Sequence, residues 1–170
     1  MTQRHHILIG IGSNLQPESH VPAAFRALVR RFPGLRYSTF YLTRPLKSRK
    51  QPPFVNGVAH ALTELTASEV LAHLAAVEEQ EGRVRDPADR FAARTLDLDL
   101  LLYDHLVSAD LKLPAPDLLA RDFVLLPAVE LLPRWRHPRN GRTLAVLARE
   151  RFPRPVSILQ QYLLPQDKLA

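Results

Sequence analysis

Two carboxylates stand two residues apart within the alternating run from Leu96 to Leu100. If this run is a β-strand, Asp97 and Asp99 point to one face of the sheet while the leucines point to the other. Two like charges roughly 6–7 Å apart along a strand repel by about 2–3 kcal/mol at an effective dielectric constant near 20. A divalent cation held by oxygen ligands would relieve this repulsion, so the pair predicts a metal site.

Four arginines precede the carboxylates within a dozen residues: Arg83, Arg85, Arg90 and Arg94. The planar guanidinium group matches phosphate oxygens and is always charged. Carboxylates, metal and arginines together suit phosphoryl transfer, in which catalysis is mostly positioning and charge stabilisation. A half-buried strand that follows a basic surface loop, with no catalytic role, would produce the same pattern of residues.

The composition is that of an ordinary globular protein, with 46% hydrophobic and 24% charged residues among 170. We expect one domain over residues 1–170. There is no cysteine, which excludes disulfides and thiolate metal sites. No long apolar segment or signal peptide is evident, so we expect a cytoplasmic protein. The net charge of +6 permits binding either of nucleic acid or of a small polyanionic substrate.

Hydrophobic periodicity predicts the order strand, helix, strand, strand, helix, strand up to Tyr103. This order predicts an α+β fold with a ferredoxin-like βαββαβ core, its helices on one face of an antiparallel sheet, plus C-terminal additions. A turn is expected at Gly10 to Asn14, after the first strand. Strands are expected over His6–Ile11, Leu35–Leu42 and Phe54–Leu65, and helices over Ser19–Phe32, Ala67–Glu81 and Leu144–Arg151.

Two polar residues in these elements allow alternative interpretations. Asn56 lies near the start of a predicted strand, and its amide could bind the edge of a heterocycle or simply occupy a turn. Glu78 is expected on a mostly solvated helix face with Glu79 and Glu81, although one of the three could point at the arginines that follow.

Six pieces of the sequence resemble the 6-hydroxymethyl-7,8-dihydropterin pyrophosphokinase family of folate biosynthesis, in family order and at close to family spacing across about residues 7–133. They are Gly12-Ser13-Asn14, Phe40-Tyr41-Leu42-Thr43-Arg44-Pro45, Gln51-Pro52 with Phe54-Val55-Asn56, Glu78 with Gly82-Arg83-Val84-Arg85, Arg94-Thr95-Leu96-Asp97-Leu98-Asp99, and Arg121-Asp122-Phe123-Val124-Leu125 followed by Pro127. The run from Arg94 to Asp99, taken together with Gly82 to Arg85, is a specific signal.

The resemblance implies transfer of pyrophosphate from ATP to the hydroxymethyl group of the dihydropterin, which yields AMP and the pterin diphosphate. It implies that Asp97 and Asp99 hold two Mg²⁺ ions and that Arg83 and Arg94 brace the triphosphate. Glu78, Arg85 and Arg121 would also lie on the ATP side. The pterin would stack between Phe54 and Phe123, with Thr43, Leu46 and Asn56 around its edges.

This chain departs from the family pattern at several positions. Ala115 stands where the family usually has a histidine that contacts ATP phosphate, and Ala75, Phe91 and Lys47 replace a glutamine, a tryptophan and a glycine. A divergent relative that keeps the pterin pocket but has altered or lost transfer is therefore the alternative. A nucleic-acid-binding module is a third hypothesis, but this sequence lacks the aromatic residues expected on the sheet of such a module. We expect small-molecule substrates, a monomer, and binding to neither nucleic acid nor a membrane.

Overall fold

The computed structural model describes residues 3–48, 50–84, 88–89 and 92–169. Within these residues the strands are β1 (His5–Ser13), β2 (Arg36–Tyr37), β3 (Phe40–Thr43), β4 (Phe54–Thr63), β5 (Asp97–Tyr103) and β6 (Ile158–Tyr162). The α-helices are α1 (Pro17–Arg31), α2 (Ala67–Gln80), α3 (Asp117–Ala120), α4 (Asp122–Leu131) and α5 (Leu144–Arg151). No described helix has both the length and the apolar content needed to cross a membrane.

The strands form one sheet whose described pairs are all antiparallel, in the order β5-β1-β4-β3-β6, with β2 also beside β4. Strand β1 pairs with β4 over its whole length, from His5 opposite Thr63 to Ser13 opposite Val55. On its other side, β1 pairs with β5. Gly12 therefore lies between Asn56 of β4 and Asp97 of β5.

Helices cover both faces of the sheet: the two helices of the expected core share one face, as predicted, and the C-terminal helices cover the other. Helices α1 and α2 pack on the face that carries Ile7, Ile9 and Ile11. The C-terminal helices α3, α4 and α5 pack on the opposite face, against Leu8 and Val58. The C-terminal third of the chain thus closes the second face, because the apolar side chains there would otherwise remain in water.

A bulge in β5 explains why two consecutive leucines share the second core. Ile9 pairs with Leu100 and Leu8 pairs with Leu102, so Leu101 is an extra residue in β5. As a result Leu101 and Leu102 both pack in the second core. Before the bulge the alternation is regular, so Asp97 and Asp99 face the same side as α3 and α4.

Two predicted boundaries were wrong. Strand β1 continues through the expected turn to Ser13, because both of its neighbours supply pairing partners there. The strand expected over Leu35–Leu42 is divided into β2 and β3 at Ser38, whose buried hydroxyl accepts a hydrogen bond from the N–H of Val58 at 2.9 Å. The start of α2 agrees with the sequence pattern, since Thr66 and Glu69 form a capping box.

Asp122 ties the C-terminal segment to α4 and carries a stability prediction. Its buried carboxylate accepts hydrogen bonds from the N–H groups of Val156 (2.6 Å), Ser157 (2.7 Å) and Phe123 (2.9 Å). Burial alone would raise the pKa of Asp122, but these hydrogen bonds outweigh burial and hold the pKa below its usual value. We expect Asp122→Asn to lower the free energy of unfolding at pH 7 by about 1–3 kcal/mol, the range for hydrogen bonds to a charged group.

The sign of the pH dependence follows from the lowered pKa of Asp122. A carboxylate with a lowered folded-state pKa stabilises the protein above the unfolded-state pKa, and this stabilisation is lost as the pH falls through the folded-state pKa. The difference between wild type and Asp122→Asn in urea unfolding should therefore shrink below about pH 4. An equal difference at pH 7 and pH 3 would contradict this role for the charge.

Candidate active site

Asp97 and Asp99 line a cavity of about 250 Å³ between the sheet and the segment that holds α3 and α4. The leucines that alternate with them, Leu96, Leu98 and Leu100, are buried in the first core. The alternation expected from the sequence thus places both carboxylates at one cavity. The cavity is also lined by Arg44, Arg83, Arg94 and Arg121, so acidic and basic groups meet in it.

Asp97 is held by two arginines. Arg94 donates from Nη1 to Asp97 Oδ2 at 2.9 Å, and Nη1 of Arg83 donates to Asp97 Oδ1. The same nitrogen of Arg83 donates to Glu78. Arg83 therefore bridges two carboxylates, one on α2 and one on β5.

Glu78 is buried, with 4% of its side chain exposed, so it does not belong to the expected solvated helix face and is instead the glutamate that points at the following arginines. Its Oε1 accepts a hydrogen bond from the N–H of Leu98 at 2.7 Å as well as the hydrogen bond from Arg83. The ion pair compensates the charge that burial would otherwise make costly. Its bond to Leu98 fixes the end of α2 beside the strand that carries the aspartates.

The side chain of Asp99 is exposed where it lines the two cavities, and protein atoms surround the rest of it. This partial removal from bulk water, followed by the negative charges of Asp97, Glu78 and Asp117, raises the pKa of Asp99 to about 7, although Arg83 opposes the shift. Excess negative charge at this point favours a bound cation. Carboxylate oxygens are ligands that suit Mg²⁺.

The donor set fits a cation that keeps water or substrate ligands. In the part of the chain that the structure describes, no group of three or more His, Asp or Glu side chains is arranged to hold a metal. Mg²⁺ is commonly bound by one or two carboxylates, with water and substrate phosphates at the other positions. The pair Asp97 and Asp99 meets that requirement.

The residues expected around a pterin all line this first cavity: Thr43, Leu46, Phe54, Asn56 and Phe123. Asn56 donates from Nδ2 to Thr43 Oγ1 at 2.6 Å, which orients the amide across β3 and β4. The guanidinium carbon of Arg94 lies 6.0 Å from the centre of the Phe54 ring. Arg121 lines the same cavity, and its Nε forms an ion pair with Asp117 Oδ1 at 3.5 Å. Arg85 lies outside the described residues.

A second cavity of about 500 Å³ adjoins the first. It is lined by apolar side chains of α2 and β5, including Leu71, Leu74 and Leu100, and by Glu78 and Ala115. The residues shared by the two cavities are Asp99, Leu101 and Asp117. Asp99 therefore stands where the two cavities meet.

Asn14 connects segments that carry site residues, and the sequence assigned it no role. Its buried side chain accepts the N–H of Arg94 at 2.8 Å and donates to the carbonyl of Pro52 at 3.1 Å. It therefore joins the segment that carries Arg94 to the loop before Phe54. A polar side chain directly after a buried strand was the available signal, but its partners lie far away in the sequence.

A family model described as "7,8-dihydro-6-hydroxymethylpterin-pyrophosphokinase (HPPK)" matches residues 8–133. The chain belongs to this pyrophosphokinase family. A Pseudomonas aeruginosa 2-amino-4-hydroxy-6-hydroxymethyldihydropteridine pyrophosphokinase is 42% identical over 153 residues, covering 86% of this chain and 91% of the relative. A Synechocystis relative of the same name is 35% identical over 150 residues, covering 85% of this chain and 75% of the relative.

Solved structures agree with this assignment at the level of the fold. A Plasmodium falciparum HPPK-DHPS crystal structure has a TM-score of 0.66 and 11% sequence identity, and the match covers 91% of this chain. Another HPPK-DHPS structure, in complex with substrates, has a TM-score of 0.67 and 10% identity. This chain spans about half the length of those two proteins, 47% and 45%.

Family membership confirms the function expected from the sequence. The protein is an ATP-dependent pyrophosphokinase of folate biosynthesis that transfers pyrophosphate to hydroxymethyldihydropterin. The arrangement of a carboxylate pair among arginines, at the junction of two cavities, is compatible with this reaction.

Proposed function

We propose that the pterin ring binds in the first cavity, that ATP binds in the second, and that transfer takes place beside Asp97 and Asp99. The observation that supports this proposal most directly is the position of Asp99, which lines both cavities. Transfer requires an acceptor and a donor whose reacting atoms meet at one point. The junction is the position at which ligands in both cavities would meet.

In the first cavity, Phe54 and Phe123 would stack on the pterin ring, because flat heterocycles gain from contact with aromatic faces. Asn56, oriented by Thr43, would bind the donors and acceptors at the edge of the ring, and Leu46 would contact it beside Thr43. The hydroxymethyl group would then point toward the aspartates. In the second cavity, the leucines of α2 and β5 would contact the adenine.

Asp97 and Asp99 would hold two Mg²⁺ ions, which when bound neutralise the α- and β-phosphate oxygens of ATP. Arg83 and Arg94, which pair with Asp97 in this structure, would lie beside the phosphates and contact their oxygens. Arg121, which lines the first cavity beside Asp117, would contact a further phosphate oxygen. Arg85 is proposed as another contact to ATP.

The reaction is a single in-line displacement. The hydroxymethyl oxygen forms a bond to the β-phosphorus as the bond from that phosphorus to the oxygen bridging the α- and β-phosphates breaks. AMP leaves with the bridging oxygen, and the hydroxyl proton passes to solvent. The arginines stabilise the charge that develops on the transferred group.

The strand order β5-β1-β4-β3 supports the finer description of the sheet as ferredoxin-like, extended by β6 and by the helices on its second face. That the whole chain is one domain remains a prediction, as do the monomeric state, the cytoplasmic location and the lack of nucleic-acid binding.

A divergent relative with altered or lost transfer is the second candidate. Ala115 favours it, because this residue lines the second cavity and contributes no hydrogen-bond donor there from its side chain.

The test of the two candidates is AMP formation from ATP and 6-hydroxymethyl-7,8-dihydropterin with and without Mg²⁺. We expect Mg²⁺-dependent formation of AMP and pterin diphosphate in equal amounts. Folded protein that bound the pterin but formed no AMP would support the divergent relative.

Gly12 supplies a test of the pterin position. A Cβ atom at residue 12 would lie 2.7 Å from Asn56 Oδ1, which is too close, so Asn56 would have to move. We expect Gly12→Ala to weaken pterin binding about tenfold, the effect of losing roughly one hydrogen bond. The measurement is titration with the pterin substrate.

Gly10 provides the matched control, since it lies on the same strand and lines the same cavity. The atoms nearest to a Cβ at residue 10 would be those of the Leu101 side chain, at an ordinary 3.5 Å. Gly10→Ala should therefore bind pterin like the wild type. Equal losses in the two variants would argue against a pterin held by Asn56.

A further inference from the structure

The second cavity is acidic except for one side chain. Among the described residues that line it, the acidic ones are Glu78, Asp99 and Asp117, and the basic one is Lys112. Glu78 is paired with Arg83, and Asp117 Oδ1 lies 3.5 Å from Arg121 Nε. Asp99 would still repel a phosphate placed beside it. The arginines of the site line the first cavity instead.

We propose that Lys112 binds the α-phosphate of the nucleotide and so makes the second cavity selective for nucleotides over nucleosides. This inference rests on the placement of ATP in the second cavity described above. The ammonium group is a compact charge on a flexible stem, with three donors for phosphate oxygens.

The backbone holds Lys112 in an uncommon conformation at the cavity. Residues Ser108 and Leu113 close a tight turn through two hydrogen bonds of 2.9 Å, and the N–H of Lys112 donates to Ala109 at 3.1 Å. Lys112 has φ +54°, in the left-handed region that long side chains rarely adopt. Strain of this kind persists where the surrounding structure enforces it, often at binding sites.

The ammonium group of Lys112 is available to a ligand. It makes no hydrogen bond or ion pair with any residue in the described ranges, and the side chain is exposed. Nearby Ala115 adds no polar side-chain group to the cavity. Lys112 is thus the described side chain of this cavity that can offset the charge of a phosphate.

The test compares AMP with adenosine, which differ only in the phosphate. Both are titrated into the full chain as wild type, Lys112→Met and Lys112→Arg, with adenosine measured by competition. We expect Lys112→Met to bind AMP about tenfold more weakly or worse, as for one lost hydrogen bond to a charged group. Adenosine affinity should stay within about twofold, and Lys112→Arg should restore most of the AMP affinity.

Two further variants separate binding from folding. Lys168→Met removes an exposed lysine that lines neither cavity, and it should bind AMP like the wild type. Lys112→Gly removes the ammonium group but also relieves the left-handed backbone. We expect Lys112→Gly to unfold at a higher urea concentration than the wild type and yet bind AMP as weakly as Lys112→Met.

The outcomes distinguish this inference from the proposal on which it rests. If the wild type binds AMP and Lys112→Met binds it equally well, or if adenosine loses as much affinity as AMP, the role of Lys112 is wrong. If the wild type binds no adenine nucleotide, the placement of ATP in the second cavity fails, and the inference about Lys112 fails with it.

Discussion

Replacement of Asp97 or Asp99 by asparagine is expected to lower kcat about a thousandfold, because each carboxylate would contribute several kcal/mol through the metal ions that it holds. Asparagine has nearly the same shape but no charge, so the fold should persist. Affinity for the pterin should change little, since the proposed ring contacts come from Phe54, Asn56 and Phe123. The measurements are AMP formation at saturating Mg²⁺ and pterin titration of the same proteins.

Asp167→Asn is the matched control, since it removes an exposed carboxylate that lines neither cavity. It should leave kcat and the Mg²⁺ dependence unchanged. If Asp97→Asn and Asp99→Asn turned over at the wild-type rate, the assignment of the metal site to this pair would be wrong. If they instead lost pterin binding along with turnover, the carboxylates would act on the ring and not on ATP.

Replacement of Arg83 by methionine is expected to lower the free energy of unfolding by about 3–5 kcal/mol, the cost of breaking a buried ion pair. Only 11% of the Arg83 side chain and 4% of the Glu78 side chain are exposed. Loss of Arg83 would leave the carboxylate of Glu78 buried without this compensating charge. The measurement is urea unfolding at pH 7 of the wild type and the variant.

Arg142 offers a control, because it forms an arginine–glutamate ion pair that is exposed to solvent. It pairs with Glu150, and about half of each side chain is exposed. Arg142→Met should therefore lower the free energy of unfolding by less than about 1 kcal/mol.

Adding Glu78→Gln to Arg83→Met should recover much of the lost stability, because the amide oxygen can still accept the N–H of Leu98. If Arg83→Met and Arg142→Met cost the same, the Arg83–Glu78 pair is not a buried ion pair in solution.

The sequence determined features that depend on local geometry. The alternation of leucine and aspartate from Leu96 to Leu100 was sufficient to predict which side chains enter the core and which point to a cavity, because successive strand residues face opposite sides. The capping box at Thr66 and Glu69 likewise depends on residues three apart. Family membership followed from the spacing of such short pieces.

The tertiary structure decided what these pieces meet. Glu78 looked like part of a solvated helix face, but α2 packs beside β5, so Glu78 is buried against Arg83 and Leu98. Gly12 looked like a turn residue, but its strand continues between Asn56 and Asp97. The junction of two cavities at Asp99 and the covering of the second sheet face by α3, α4 and α5 depend on contacts between residues far apart in sequence. Local periodicity cannot specify such contacts, because they form only when separate elements bury their apolar faces against one another.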